Sequence, residues 1–332
     1  MSFQLERTYG LRADYWYQPE KAVSGMSDGL FFKSEPDSET QQFLDQSHQI
    51  ASNYFWQTMR NLGVMLLSTV YSKTDINGMT GFGNMFLFSE HQLAKFLEID
   101  QSSWVSTNKK VLDLGAGNGD ITQHMRPFFE HLHATELSPK MRKRLSSKGI
   151  TLLDAIKWAK TDVKFDLITA FNLLDRHYNP QKLLEDLWNV AHRSKCRVIV
   201  SLVLPVSYYV EFNPSGNGTR PDNYLNVPGG SYADQVHYMI TNVFVPNGFK
   251  VIKWTRLPYL CEGDMNSSAY YLPDGVFLLE PIGMGLLGTK PPKPAETAND
   301  VASGIPSTLK PNENVEEVDT PTSSAPSTHT DL

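Results

Sequence analysis

Cysteine is scarce: the 332 residues hold only Cys196 and Cys261, far apart and without C-x-x-C spacing, which excludes a disulfide framework and a cysteine-built zinc site. That usage fits a reducing compartment, and no metal is expected. No apolar run reaches the roughly 20 residues needed to span a bilayer, and Met1-Ser-Phe-Gln-Leu-Glu-Arg7 lacks the apolar stretch of a signal peptide. An intracellular, cytoplasmic protein without a transmembrane segment is therefore expected. Basic residues are also short, 30 Lys and Arg against 36 Asp and Glu for a net charge of −6, and they form no block that could neutralise phosphates, so nucleic acid is not the expected partner. The local basic cluster from Lys140 to Lys148 falls on a predicted helix and reads as a solvated face. From Gly288 onward aromatic residues vanish and Pro, Thr, Ser, Asn and Glu take over, so 286–332 cannot bury enough surface to offset ordering entropy and read as a disordered tail.

Against these absences stands one dense motif, Val111-Leu-Asp-Leu-Gly-Ala-Gly-Asn-Gly-Asp120. Val111, Leu112 and Leu114 read as the first strand of a parallel sheet. Gly115, Gly117 and Gly119 let the backbone turn tightly and approach a ligand with no Cβ in the way. The nicotinamide fingerprint G-x-G-x-x-G would need glycine where Asp120 stands, so a dinucleotide is disfavoured. A second strand, His131-Leu-His-Ala-Thr-Glu136, ends in a carboxylate about 20 residues downstream of the turn, the position from which an acidic side chain accepts hydrogen bonds from ribose hydroxyls. Ser138 and Pro139 follow as cap and first position of a helix. Together these point to S-adenosylmethionine as the ligand of the turn.

Strand and helix signals alternate across the middle of the chain, with Asn179-Pro180 opening a helix to about His192 and Cys196-Arg-Val-Ile-Val-Ser-Leu-Val-Leu204 forming an apolar strand. Such repeats predict a doubly wound parallel sheet. An Asn-, Pro- and Gly-rich insertion at 206–230 precedes a helix at 231–245, and two late strands near 249–258 and 275–281 follow with no helix between them. That pair predicts an antiparallel hairpin at the sheet edge. The expected fold is α/β, a class I S-adenosylmethionine-dependent methyltransferase with a mostly parallel seven-stranded sheet. Residues 1–100 form an N-terminal arm and helical extension, 101–285 the methyltransferase domain and 286–332 the tail. In the extension, Tyr15, Trp16, Tyr17, Phe31 and Phe32 read as an arm packed on the body, and helical periodicity runs from Thr40 to about Ser72. The glycine-rich stretch from Thr74 to Phe88 reads as a covering loop, and Ser89 with Gln92 as the capping box of a short helix through Leu97.

Ligands of open parallel sheets sit beyond the carboxyl ends of the strands. The loop Asn172-Leu-Leu-Asp-Arg176 therefore faces the same crevice as Glu136, and Asn172 and Asp175 are its candidate polar groups; both residue types also cap local turns. Thr255-Arg-Leu-Pro-Tyr-Leu-Cys-Glu-Gly-Asp-Met265 concentrates Tyr259, Glu262 and Asp264 near the hairpin crossing. Tyr270 and Tyr271 would supply either an aromatic wall for a flat acceptor or ordinary packing.

The segments Leu112–Gly117, Ala134–Ser138, Asn172–Arg176, Leu202–Pro205 and Thr255–Met265, with Ile76-Asn-Gly78, Met85-Phe86 and Phe88-Ser89, resemble those of the methyltransferase-like protein 9 (DREV) family over about 45–282. The resemblance implies an S-adenosylmethionine-dependent protein-histidine methyltransferase acting on the Nπ atom of histidine in His-x-His sequences with a small middle residue. It assigns Asp113 and Gly115 to the cofactor turn, Glu136 to the ribose, and Asn172 and Tyr259 to the cofactor pocket, with Asp175 and Tyr271 toward the acceptor. Asp175 is the expected catalytic carboxylate, Glu262 and Asp264 its substitutes, and Asp264 is also expected at the substrate. The partners implied are proteins carrying His-x-His sequences. The family also implies association with the endoplasmic reticulum or mitochondria for some members. Methylation of another acceptor, or a non-catalytic cofactor-binding scaffold, are the competing expectations.

Overall fold

The computed structural model describes residues 15–18, 29–53, 57–58 and 83–282. Eight strands among them form one sheet: β1 (Met85–Phe86), β2 (Lys110–Leu114), β3 (His131–Thr135), β4 (Thr151–Leu153), β5 (Leu167–Phe171), β6 (Arg197–Val203), β7 (Phe249–Glu262) and β8 (Ala269–Pro281). Their order is β1-β7-β8-β6-β5-β2-β3-β4. The pairings among β2 to β6 are parallel, β8 joins antiparallel to β6, and β7 joins antiparallel to β8. The chain lays β3 and β4 to one side of β2, then returns to place β5 on the other. This reversal opens a crevice beyond the tips of β2 and β5, where open α/β sheets take their ligands.

Central strands need apolar cover on both faces, and the sequence supplies it. Val111, Leu112 and Leu114 on β2 and Ile168 and Ala170 on β5 are fully buried. One cluster packs β5, β6 and β8 under α5 (Pro180–Ser194) and α6 (Tyr232–Tyr238), with Leu183, Leu184, Leu187, Val190 and Ala191 forming the helical stripe. The other face is covered by α2 (Glu90–Leu97), by Leu44 of α1 (Ser38–Ser52) and by Trp16 and Tyr17 of the arm. The capping signals act as expected. Ser89 Oγ accepts from Gln92 N at 2.9 Å, and Asn179 Oδ1 accepts from Lys182 N at 2.9 Å. Ser138 caps α4 (Pro139–Ser147), and α3 (Asp120–Gln123) leaves directly from the glycine turn.

Several expectations need correction. The sheet has an eighth strand: Met85 and Phe86 pair antiparallel with Cys261 and Leu260, so β1 covers part of the edge that the hairpin was expected to form alone. Two residues carry no readable period, and the glycines before them suggested a loop. The late strands run several residues longer, with Pro258 facing Pro273 in register. Proline reads as a strand end from sequence because it gives no ladder N–H. The expected helix at 231–245 is α-helical only through Tyr238 and continues as a π-helical turn over Met239–Phe244. Of the periodicity from Thr40 to Ser72, the structure describes a helix to Ser52. Apart from Asn53, Gln57 and Thr58, the rest of it lies outside the described residues, as do most of the loop from Thr74 and the tail from 286. No helix among the described residues is long and apolar enough to cross a membrane.

Candidate active site

Gly115 has φ +68°, and a Cβ on it would stand 2.8 Å from Leu173 Cδ1. Gly117 has φ +55° and nothing within 4 Å of where its Cβ would be, so the backbone there is open. The turn is tied to β3: Gly115 N donates to Thr135 Oγ1 at 3.2 Å and Gly117 N to Glu136 Oε2 at 3.0 Å. Glu136 Oε1 accepts from Ser138 N at 2.8 Å. Its carboxyl is pushed up by burial, against the lowering effect of those N–H groups, and the Glu211 carboxylate adds to the rise. The Leu137 N–H also bonds this carboxylate, and the acceptor capacity left beyond these three N–H groups can take a ligand hydroxyl at the turn.

Asp113 sits beneath this surface and not on it. It is 2 % exposed, Oδ2 accepts from Thr122 Oγ1 at 2.6 Å, and Oδ1 accepts from Thr169 Oγ1 at 2.8 Å. Burial pushes its carboxyl up to about 6 against those two bonds. In this arrangement Asp113 braces β2, β5 and α3 under the glycine turn.

Across the switch point, β5 ends at Phe171 and Asn172 takes φ +49°, a left-handed conformation that asparagine tolerates better than most residues. Its backbone N donates to Ser201 O at 3.0 Å, and its Nδ2 donates to Asp274 Oδ2 at 3.0 Å. Its Oδ1 is buried without a partner among the described residues. Asp175 is 2 % exposed; Arg176 Nε lies 3.3 Å from Oδ2, and Oδ1 is buried without a partner. Burial pushes the Asp175 carboxyl up to about 6, with the Arg176 guanidinium pulling it back. Tyr259 hydrogen bonds through its hydroxyl to Met85 Sδ on β1. Its hydroxyl is held well above its usual range by burial, and the carboxylates of Asp274 and Asp175 are among the charges acting on it. Asn172, Asp175, Tyr259 and Asp274 thus share one electrostatic neighbourhood. The insertion borders it: Tyr209 N donates to Asp175 O at 3.1 Å, and the Arg176 guanidinium lies 5.8 Å from the Tyr209 ring centroid.

Two expected acceptor residues are bonded within the protein. Tyr271 stacks on Trp16 at 5.0 Å between ring centroids, meets Tyr15 edge-on at 6.0 Å, and accepts from Arg256 Nη2 at 3.2 Å, so it seats the arm. Asp264 shapes the hairpin tip: Oδ1 accepts from Asn266 N at 2.8 Å and from Tyr270 Oη at 2.7 Å. Glu262 accepts from Asn84 Nδ2 at 2.9 Å. It borders a cleft of about 330 Å³ between α1, β1 and α3, where Gln46, Ser47, His124 and Asp120 also lie.

Sequence reasoning missed Asp274. Pro273-Asp274-Gly275 carries turn chemistry, which hid a buried carboxyl in mid-strand, opposite Val203 and Leu257. The available signal was the apolar run that continues from Val276 to Leu279.

A glycine turn after the first parallel strand, a carboxylate at the tip of the second, and an antiparallel strand inserted beside the last parallel one define a class I methyltransferase. The chain belongs to the DREV methyltransferase family, whose profile it matches over residues 16–281. Its cofactor is S-adenosylmethionine, and the residues fit that group: an open glycine cradle, a carboxylate at the tip of β3 and two buried oxygens still lacking partners. Solved structures with similar architecture include a ribosomal protein L11 methylase from Lactobacillus delbrueckii subsp. bulgaricus, at 18 % identity over 61 % of this chain and 83 % of that one, TM-score 0.34. A magnesium protoporphyrin IX methyltransferase from Synechocystis PCC 6803 with bound SAH matches at 14 % identity over 58 % and 81 %, TM-score 0.34. The assignment rests on the family match and not on these overlaps.

Proposed function

We propose that this methyltransferase is a protein-histidine N-methyltransferase that modifies the Nπ atom of histidine in His-x-His sequences with a small middle residue. The observation that carries the reading is Asp175: a buried carboxylate on the loop after β5 with one oxygen lacking a partner, on the same loop as the equally unpartnered Oδ1 of Asn172. The family resemblance supplies the acceptor. Glu136, Gly115, Asn172 and Tyr259 line the cofactor side, with Asp113 supporting the turn from below. Tyr271 and Asp264 shape the acceptor side, Tyr271 by seating Trp16 and Tyr15 and Asp264 by setting the hairpin tip. The arm and helices before residue 101 act as a cover on the domain at 101–285.

When bound, S-adenosylmethionine supplies an electrophilic methyl group on a sulfonium. The protein's task is then chiefly positioning. A neutral imidazole is a competent nucleophile near pH 7 when its proton lies on Nτ and its lone pair on Nπ. Asp175 Oδ1 accepts the Nτ–H, which selects that tautomer and stabilises the imidazolium formed as Nπ gains the methyl, as a buried aspartate does for the histidine of a hydrolase triad. The proton on Nτ is released afterwards to solvent. With a His-Ala-His peptide, Asp175→Ala lowers turnover well over tenfold while cofactor affinity by calorimetry changes little. Unchanged turnover removes Asp175 from the mechanism. Methylation of peptides that lack either histidine points instead to another nitrogen acceptor.

A further inference from the structure

One buried polar group at the crevice has no part in the scheme above. Asp274 is 0 % exposed and stands in β8 among Leu272, Val276 and Phe277. A carboxyl in such surroundings costs several kcal/mol unless its bonds repay it. Its Oδ2 accepts from Asn172 Nδ2 at 3.0 Å, and its backbone carbonyl accepts from Tyr232 Oη at 3.1 Å.

A side-chain amide has a donating end and an accepting end, and a neighbour that fixes one fixes the other. With Nδ2 held by Asp274, the Asn172 carbonyl oxygen faces away from β8, and that oxygen is the buried atom without a protein partner. The reversed amide would set two oxygens about 3 Å apart, bridged by a hydrogen only if Asp274 carried its proton on Oδ2, the oxygen that faces Asn172. A neutral Asp274 with its proton on Oδ1 accepts the same Nδ2 hydrogen. The main chain is held from the same direction, because Asn172 N donates to Ser201 O on β6 at 3.0 Å and Ser201 pairs with Val276 of β8.

We infer that Asp274 is a positioning residue that acts through Asn172, holding the amide so that Oδ1 accepts a hydrogen bond from the ammonium group on the amino-acid part of bound S-adenosylmethionine. This rests on the cofactor-side reading of Asn172 given above. Asp274 itself touches neither cofactor nor acceptor. Its contribution exists only while Asn172 carries an amide.

That dependence is the test. S-adenosylmethionine binding to the full chain is measured by calorimetry in a double-mutant cycle of Asp274→Leu and Asn172→Ala, with thermal unfolding recorded for each variant. In the otherwise unaltered chain, Asp274→Leu weakens binding about tenfold, as expected for one lost charge-assisted contact. In the Asn172→Ala background it weakens binding less than about twofold. Asp274→Asn, which can still turn an oxygen to Asn172, loses less than Asp274→Leu in the unaltered background and nothing further in the other. Equal losses in both backgrounds, or no loss in the unaltered chain, overturn the inference. If Asp274→Leu does not fold, Asp274→Asn must show the same background dependence. An unaltered chain that does not bind S-adenosylmethionine contradicts the cofactor assignment itself. Asn172→Ala that leaves binding at full strength contradicts the placement of Asn172, and each of these results is distinct from a failure confined to Asp274.

Discussion

Asp175→Asn is expected to make the protein more stable and less active, and the size of the gain follows from burial. Taking the carboxyl from its ordinary 3.8 to about 6 means that ionising it in the folded protein costs about 3 kcal/mol more than in the unfolded chain. The sign is fixed by linkage: a raised acid contributes stability that is fully present below its unfolded pKa and is lost as pH rises through about 6. At pH 8 the unaltered protein therefore carries the whole penalty. The amide carries none, although it leaves Arg176 without its ionic partner and brings a new N–H that needs an acceptor, at roughly 1–2 kcal/mol. The net expectation is a gain of about 1–2 kcal/mol at pH 8, shrinking by about 2 kcal/mol at pH 4.5. Urea unfolding of both proteins at the two pH values measures it, alongside turnover of a His-Ala-His peptide. A variant less stable than the parent at pH 8, or a difference that does not move with pH, refutes the reasoning that Asp175 is held ionised against its surroundings for the sake of the acceptor.

Glu136→Ala removes the carboxylate that joins the turn to α4, and calorimetry is expected to detect no S-adenosylmethionine binding, whereas retained affinity would misplace the ribose. Gly115→Ala imposes a left-handed side chain and pushes on Leu173, whose loop carries Asn172 and Asp175; stability falls by about 1–2 kcal/mol and turnover falls further than that loss accounts for. Equal losses in stability and turnover would separate the turn from the loop. The pH profile of kcat/KM for the unaltered protein falls on the acid side through about 6, where Asp175 gains a proton and the acceptor imidazole is also charging. A profile flat from about pH 5 to 8 contradicts both assignments.

The half of the site built on parallel strands was legible because backbone sterics and burial wrote it into local sequence. Gly115 and Gly117 stand where φ is positive, and Glu136 stands where an apolar strand meets a capped helix. Asn172 and Asp175 were readable for the same reason, as polar residues directly after a strand of five buried residues. The antiparallel half was less open to such reading. Asp274 lies within Pro-Asp-Gly, whose turn chemistry is outweighed by pairing with β6 and β7, and Met85-Phe86 is too short to show alternation. The resemblance put Tyr271 toward the acceptor, and nothing in local sequence could reveal that Trp16, more than 250 positions earlier, stacks on its ring. The resemblance assigned Asp113 to the cofactor turn, and its bracing role was hidden because its two threonine partners come from α3 and β5, which only the folded sheet brings beneath the turn.

The central claim is that Asp175 holds the Nτ–H of an acceptor histidine so that Nπ meets the methyl donor. Its most direct test is NMR of a His-Ala-His peptide after incubation with the full chain and S-adenosylmethionine, which distinguishes the two ring nitrogens where mass does not. The account predicts methylation at Nπ, lost with Asp175→Asn. Methylation at Nτ, or Nπ methylation that persists in that variant, contradicts it.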